Sequence, residues 1–197
     1  ILANDIDTPN VASYNLTSIV DNGLIPASGN IVIQNGFLSD AISNDSWNNI
    51  TSAALDVIYT FVPVGDNGCL GDDFTVTVTV NPEPVVTNQT ITVCSDENLN
   101  QAFNASTSVA ADTYNVTNLQ TNGLSISAGN PDVANGLLAN DLEDDAFTNL
   151  TNAPVDVIYT VVPVSGSNCE GEPFTVTVTV NPEPVVADQT TSVCSDE

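Results

Sequence analysis

Apolar and hydroxyl-bearing residues alternate strictly in one segment of the chain that occurs twice. Residues 74–80 read FTVTVTV, so Phe74, Val76, Val78 and Val80 share one side and the threonines share the other. An alternation with a period of two predicts a β-strand with one buried face. The same letters stand at residues 174–180 and predict a second such strand.

The segment before this strand is apolar on both faces. Residues 56–64, DVIYTFVPV, predict a strand in the middle of a sheet, where both faces are covered. The turn-rich residues 65–73 between the two strands predict a hairpin loop. Shorter β-like stretches lie at 31–33 and 90–93, and no segment has helical periodicity over more than two turns.

The chain repeats itself with a period of 100 residues. Without a gap, residues 56–97 match residues 156–197 at 30 of 42 positions, and the upstream residues match more loosely in the same register. Such a period indicates tandem copies of one domain. With only β signals in each copy, the fold class predicted is all-β: tandem antiparallel β-sandwiches of the immunoglobulin-like (Ig-like) type.

The repeat register predicts the domain boundaries. Residues 1–83 form the first Ig-like repeat without its leading strand, because Ile1 aligns with Gln101, and residues 84–183 form the second. Residues 184–197 correspond to the leading strand of a further repeat. They either continue into that repeat in a longer chain or act as a donor strand for a neighbouring subunit; the remaining alternative is an isolated two-domain fragment. The donor residues would be Val185, Val186, Val193 and Cys194.

Composition removes several classes of function. The chain has no Lys, Arg or His and carries 25 acidic residues. Nucleic acid and direct binding to anionic membranes are excluded, since both depend on cationic side chains. Most enzyme mechanisms also lose their usual groups. A carboxylate-pair hydrolase is the remaining enzyme alternative, and no sign of a cleft supports it, so we expect no catalytic residues.

Several short motifs at one fixed spacing carry a family resemblance. They are DSWNNIT at 45–51, VIYTFVP at 57–63, GCLG at 68–71, FTVTVTVNPEP at 74–84 and VCSDE at 93–97. In this order they resemble the PKD-like repeats of giant secreted surface adhesins of Bacteroidota, including gliding-type adhesins and substrates of type IX secretion. The second copy departs from the pattern at its hairpin. The resemblance implies an Ig-like sandwich with an extracellular structural or adhesive role and no catalysis.

An extracellular setting favours disulfides among the four cysteines. If the leading strand starts where the last hairpin loop sits, Cys94 pairs with Cys169. Cys69 and Cys194 would then pair with neighbouring units. The competing pairings are Cys69 with Cys94 and Cys169 with Cys194, and free buried thiols are the third possibility.

An acidic cluster raises the possibility of a calcium site. It comprises Asp141, Glu143, Asp144 and Asp145, whose oxygen atoms suit Ca²⁺. The cluster lacks the spacing of an EF-hand, and a solvated run of charges is the competing interpretation. Apart from possible Ca²⁺, we expect no cofactor.

Aromatic residues recur at equivalent positions of the two copies. Trp47 aligns with Phe147, and Tyr59 with Tyr159. Such pairs could stack on sugar rings, but recurrence within a repeat favours packing in the core. The Asn-X-Ser/Thr acceptor motif for glycosylation also occurs at several positions, Asn49 and Asn149 among them.

The combined prediction is a non-catalytic structural repeat of an extracellular filament or giant cell-surface adhesin. Pro82, Pro84, Pro182 and Pro184 would stiffen the linkers, and similar repeats would be joined end to end. The alternative function is an adhesin module that binds a glycan or a surface through its loops, with possible help from Ca²⁺. The predicted location is extracellular or on the cell surface.

Overall fold

The computed structural model describes residues 10–195, and every regular element in that range is a β-strand. Residues 1–9 of the predicted first domain and residues 196–197 of the predicted tail lie outside the described residues. The strands are β1 (Val11–Val20), β2 (Ile25–Ser28), β3 (Ser46–Asn48), β4 (Leu55–Gly65), β5 (Phe74–Val80), β6 (Gln89–Cys94), β7 (Ala111–Gln120), β8 (Ser125–Ala128), β9 (Ala134–Leu137), β10 (Ala146–Thr148), β11 (Val155–Ser165) and β12 (Phe174–Asn181). Within the described range there is no helix that could cross a membrane.

The chain forms two compact units. Among the described residues, the first unit contains 10–85 together with 106–111 and 164–171, and the second contains 86–105, 112–163 and 172–195. The predicted boundary after residue 83 and the separate segment 184–197 stay predictions.

The first unit contains a three-stranded sheet in the order β1-β4-β5 and a two-stranded sheet of β2 and β3. β4 lies in the middle of its sheet, as its apolar sequence predicts. Its neighbours run antiparallel to it, with Tyr59 opposite Val76 and Phe61 opposite Phe74. Leu16, Tyr59 and Phe61 are buried between the sheets and form the centre of the core.

The second unit repeats this plan with a wider sheet. Its order is β6-β12-β11-β7-β9, and β8 pairs with β10 in a two-stranded sheet. In β12 the side chains of Phe174, Val176, Val178 and Val180 are buried, which confirms the face predicted from the alternation. The fold is thus the predicted all-β tandem Ig-like sandwich. One pair departs from the antiparallel expectation, because β6 runs parallel to β12.

The strand predicted at residues 31–33 is wrong. Val32 and Ile33 are exposed and belong to no strand. The backbone N–H of Ile31 donates to Oδ1 of Asp45 at 3.1 Å instead of to a neighbouring strand. The residues that pair with the edge of β1 come just after this stretch, since Leu16 N donates to Gln34 O at 3.0 Å and Tyr14 N donates to Phe37 O at 2.8 Å.

In each unit an Asn-Gly turn connects the main sheet to the two-stranded sheet, between β1 and β2 in the first unit and between β7 and β8 in the second. Asn22 and Gly23 both have positive φ, at 52° and 90°, a conformation that these two residue types tolerate best. The side-chain Nδ2 of Asn22 also donates to the carbonyl of Asp56 at 2.8 Å. Asn122 repeats this bond to Asp156 at 2.7 Å. The turn is therefore attached to the central strand in both units.

Candidate functional site

A buried asparagine holds the end of β12, the last strand of the second unit. Asn149 is fully buried, and its Nδ2 donates to the carbonyls of Val180 at 2.7 Å and Ala153 at 3.0 Å. Its Oδ1 accepts hydrogen bonds from N and Oγ1 of Thr151 at 3.0 Å and 2.7 Å. Its carbonyl accepts from the backbone N of Glu183 at 3.3 Å. Asn149 thus ties the end of β12 to the first residues after it.

Asn49 repeats this arrangement in the first unit. Its Nδ2 donates to Val80 O at 2.8 Å and Ala53 O at 2.9 Å, and its carbonyl accepts from Glu83 N at 2.9 Å. We call these two arrangements, centred on Asn49 and Asn149, the asparagine clamps. In the sequence, both residues match the glycosylation motif, and Asn49 also lies in the family motif at 45–51. Their amides are buried and already bonded, and the repeated Asn-X-Thr spacing was the available signal.

Residues 82–85, the linker that follows β5, are fixed by burial and by hydrogen bonds. Pro82 and Pro84 are buried, and the N–H of Val85 lies 2.9 Å from the hydroxyl oxygens of both Ser106 and Ser108. Because proline fixes φ, buried prolines and bonded neighbours together leave the linker little conformational freedom.

The corresponding prolines after β12 are less buried. Pro182 is half-buried and Pro184 is exposed. The role of all four prolines in orienting successive units stays a prediction.

A buried carboxylate joins the two sheets of the second unit. Asp145 is 2% exposed; its Oδ2 accepts from the hydroxyl of Tyr159 at 2.7 Å and its Oδ1 from the backbone N of Asn130 at 3.2 Å. Burial raises the pKa of the Asp145 carboxyl to about 6, and burial also raises the pKa of Tyr159. The carboxyl of Asp145 is therefore a structural bridge between sheets.

The first unit has the equivalent bridge. Tyr59 donates to Oδ2 of Asp45 at 2.7 Å, and the indole N–H of Trp47 donates to the Tyr59 hydroxyl at 2.9 Å. Phe147, which replaces Trp47 in the second unit, is fully buried beside Tyr159. These contacts confirm that the recurring aromatic residues pack in the core.

The four acidic residues predicted as a calcium site are not assembled as ligands. Asp145 is buried and directed at Tyr159, while Oδ2 of Asp141 accepts from the backbone N of Leu138 at 2.8 Å. Glu143 and Asp144 are exposed to solvent. Across residues 10–195, no three acidic or cysteine side chains converge on a point that could hold a metal ion. Asp145 is set apart from the other three because it belongs to the core.

The predicted pairing of Cys94 with Cys169 is overturned by the strand register. β6 does begin beside the start of β12, as the prediction assumed, with Gln89 opposite Val176. Because the strands run parallel, Cys94 then lies opposite Asn181, at the far end of β12, whereas Cys169 precedes its start. The length of β12 separates these ends by about 23 Å, far beyond the reach of a disulfide.

Within the described residues, none of the four cysteines is bonded to another. Cys69, Cys94 and Cys194 are exposed, and Cys169 is half-buried. The bonds predicted from Cys69 and Cys194 to neighbouring units stay predictions.

The predicted donor residues differ sharply from their counterparts in the second unit. Val186 and Val193 are 79% and 78% exposed, whereas Val86 and Val93 are each 8% exposed. Val185 and Cys194 are exposed too. The segment that includes them has no strand partner among the described residues.

Two sandwiches of one plan define a tandem Ig-like protein. The family model described as "PKD-like domain" matches residues 3–84 and again residues 91–184. The chain belongs to the PKD-like domain family. Comparison with curated proteins found no match.

Proposed function

We propose that this chain is a load-bearing, non-catalytic segment of an extracellular filament or giant cell-surface adhesin, in which PKD-like units follow one another end to end. The observation that carries the proposal is the asparagine clamp. Both units hold the end of their last long strand and the first linker residues with the same buried side chain, Asn49 in one and Asn149 in the other. Tension on the linker therefore acts on a hydrogen-bonded point of the sandwich.

The charge of the chain supports a location outside the cell or on its surface. A formal net charge of −25 and the absence of Lys and Arg disfavour lateral aggregation and leave no site for trypsin-type cleavage. Both properties suit a protein that is exposed to solvent and proteases over most of its surface.

The proposal is tested by pulling single molecules of the 197-residue chain by its ends. We expect two separate unfolding events, each releasing about 300 Å of chain, as about 100 residues at roughly 3.3 Å each require. The Asn149→Ala variant should lower the force of one event and leave the other unchanged. Extension without discrete events would contradict a load-bearing role.

The location is tested separately on intact cells that produce the protein. An antibody raised against the chain should label their surface without permeabilisation. Labelling only after permeabilisation would contradict the extracellular part of the proposal, and saturable binding of the isolated chain to a glycan array would favour the adhesin-module alternative.

A further inference from the structure

The Asn-Gly dipeptide is chemically reactive by itself, and the chain contains it five times, at residues 22–23, 35–36, 67–68, 122–123 and 135–136. The backbone N of such a glycine can attack Cγ of the asparagine side chain, because no Cβ hinders the approach. The N–Cγ bond forms, the Cγ–Nδ2 bond breaks, and ammonia leaves with the proton of the glycine N–H. Water then opens the succinimide ring at either of its carbonyls, which yields aspartate or isoaspartate.

The asparagines of the two Asn-Gly turns are held away from this reaction. The Nδ2 of Asn22 donates to the carbonyl of Asp56 at 2.8 Å, and Asn122 repeats the bond to Asp156 at 2.7 Å. Each side chain is thereby fixed to the strand in the middle of its main sheet, β4 or β11. The attack on Cγ would require this bond to break first.

The asparagine of the first hairpin loop is restrained through other atoms. The Oδ1 of Asn67 accepts from the backbone N of Cys69 at 3.0 Å. The N–H of Gly68, which would be the attacking group, donates to Gly65 O at 2.8 Å. Both reacting groups are therefore engaged within one tight turn.

The remaining pair, Asn35 and Asn135, has no such restraint on the side chain. Both residues are exposed, and in the part of the chain that the structure describes neither side chain makes a hydrogen bond. The second unit shows this exposure with β6 in place at the other edge of its sheet, so the exposure is a property of the unit itself.

One side-chain hydrogen bond holds each of the two attacking nitrogens. The N–H of Gly36 donates to Oδ1 of Asn15 at 3.2 Å, and that of Gly136 donates to Oδ1 of Asn115 at 2.9 Å. The two acceptors belong to β1 and β7, and the glycines lie in the segments that flank these strands at the edge of the main sheet. An edge segment opens at a lower free-energy cost than a central strand.

We infer that Asn35 and Asn135 are sites of spontaneous deamidation in the folded chain, and that the fold protects the asparagines at positions 22, 67 and 122. The modification needs no enzyme, and water is its co-reactant. Each conversion places a carboxylate where a neutral amide stood, at equivalent positions of the two units.

Isoaspartate at these positions loosens the edge of the sheet. Its main chain runs through Cβ and Cγ of the former side chain and is therefore one atom longer. Asn135 lies between Ala134 and Leu137, the two residues of β9 that pair with β7. Residues 34–37 have the same place beside β1. Extra length between two pairing points disrupts the ladder, as a bulge does, so the edge segment is released slowly and irreversibly as the protein ages.

The test is ageing of the full 197-residue chain at neutral pH, followed by peptide mapping. Pepsin is the protease of choice, because its acidic medium suppresses ring closure during the digestion. In the folded chain, Asn35 and Asn135 should each convert at least about tenfold faster than the other three asparagines of Asn-Gly pairs. Equal rates at all five sites, or conversion at only one of the two assigned sites, would overturn the proposal.

The same chain aged in guanidinium chloride is the matched control. Unfolding removes every bond that distinguishes the sites, so all five asparagines should then convert at similar rates. If the order of rates in denaturant matched the order in the folded chain, the fold would not be the cause and the proposal would be wrong.

Variants show where the isoaspartate arises. Replacing both assigned residues, Asn35→Gln with Asn135→Gln, should remove most of the isoaspartate that a protein isoaspartyl methyltransferase detects, since glutamine closes its larger ring far more slowly. Asn67→Gln, which removes a restrained Asn-Gly pair, should leave the yield unchanged. Equal yields from the double variant and the parent chain would overturn the assignment.

Hydrogen exchange measures the loosening of the edge. The N–H of Leu16 donates to Gln34 O at 3.0 Å, and the N–H of Tyr14 donates to Phe37 O at 2.8 Å. Both amides should exchange about tenfold faster or more in the aged chain, while the amides of β4 that face β5 keep their rates. Unchanged exchange at both positions in a chain that has formed isoaspartate would overturn the release of the edge segment.

Discussion

The hydroxyl of Tyr159 donates to Oδ2 of the buried Asp145 at 2.7 Å, and this bond joins the central strand of one sheet to the segment that leads into the other. Tyr59 and Asp45 form the same bond at 2.7 Å in the first unit. A polar bridge at the same place in both sandwiches shows that the two sheets are held by a specific contact as well as by apolar packing.

The stability of the second unit should depend on pH through Asp145. Burial raises the pKa of its carboxyl from the ordinary 3.8 to about 6 in the folded chain. The folded state binds this proton more tightly than the unfolded state does. The stabilisation from the protonated Asp145 carboxyl is therefore complete below pH ~4 and is lost as the pH rises through about 6. The loss is about 3 kcal/mol in the free energy of unfolding.

Urea unfolding, followed by circular dichroism at pH 4 and pH 7, measures this dependence. The other carboxylates also respond to pH, so the informative quantity is the difference between variants. Asp145→Asn should flatten the pH dependence, whereas Glu143→Gln, which removes an exposed charge two residues away, should not. The explanation fails if both variants keep the slope of the parent chain.

The asparagine clamp of the first unit should contribute strongly to stability. Asn49→Ala leaves the carbonyls of Val80 and Ala53 without their side-chain donor, so we expect a loss of about 2–4 kcal/mol in the free energy of unfolding. Trp47, the only tryptophan of the chain, reports the unfolding of this unit by fluorescence. Ser52→Ala, at an exposed position nearby, should change the stability by less than about 0.5 kcal/mol. If the two variants had similar unfolding midpoints, the clamp would not be a stabilising contact.

Gly129 should tolerate no side chain because of Asp145. Its φ is 74°, and a Cβ there would overlap Oδ1 of Asp145 and approach its Cα to 2.6 Å. Gly129→Ala should therefore lower the free energy of unfolding by more than about 2 kcal/mol. Gly123 is a matched control, since its φ is 92° but nothing lies within 4 Å of its Cβ position. Gly123→Ala should lower the free energy of unfolding by only about 1 kcal/mol, the strain of a positive φ in a residue with a side chain. The prediction is wrong if the two variants unfold at the same urea concentration.

The folded chain should form no bond between Cys94 and Cys169. The parallel register of β6 places them at opposite ends of β12. After mild oxidation of the folded chain, peptide mapping without reductant should recover no peptide pair that joins these two residues. Oxidation in denaturant serves as the control, because the unfolded chain can bring them together. Recovery of the pair from the folded chain would contradict the strand register.

Several local features could be predicted from sequence. The strands at 74–80 and 174–180 follow from alternation of neighbouring residues, and the central position of β4 follows from its apolar faces. The tandem organisation follows from the period of 100 residues. The buried role of Asp145 could not be predicted in this way, because its sequence neighbours Asp141, Glu143 and Asp144 make it look like part of a solvated cluster.

The sequence by itself determined the strand type, the repeat and the cation-free composition, because each is a property of residues close together or of their count. Only the tertiary structure decided that Cys94 lies far from Cys169 and that Asp145 faces Tyr159. The reason is physical. The direction in which β6 adds to β12 depends on which distant strand pairs with its backbone groups. Which acid enters the core likewise depends on a distant side chain, the hydroxyl of Tyr159. Such pairings leave no local pattern in the sequence.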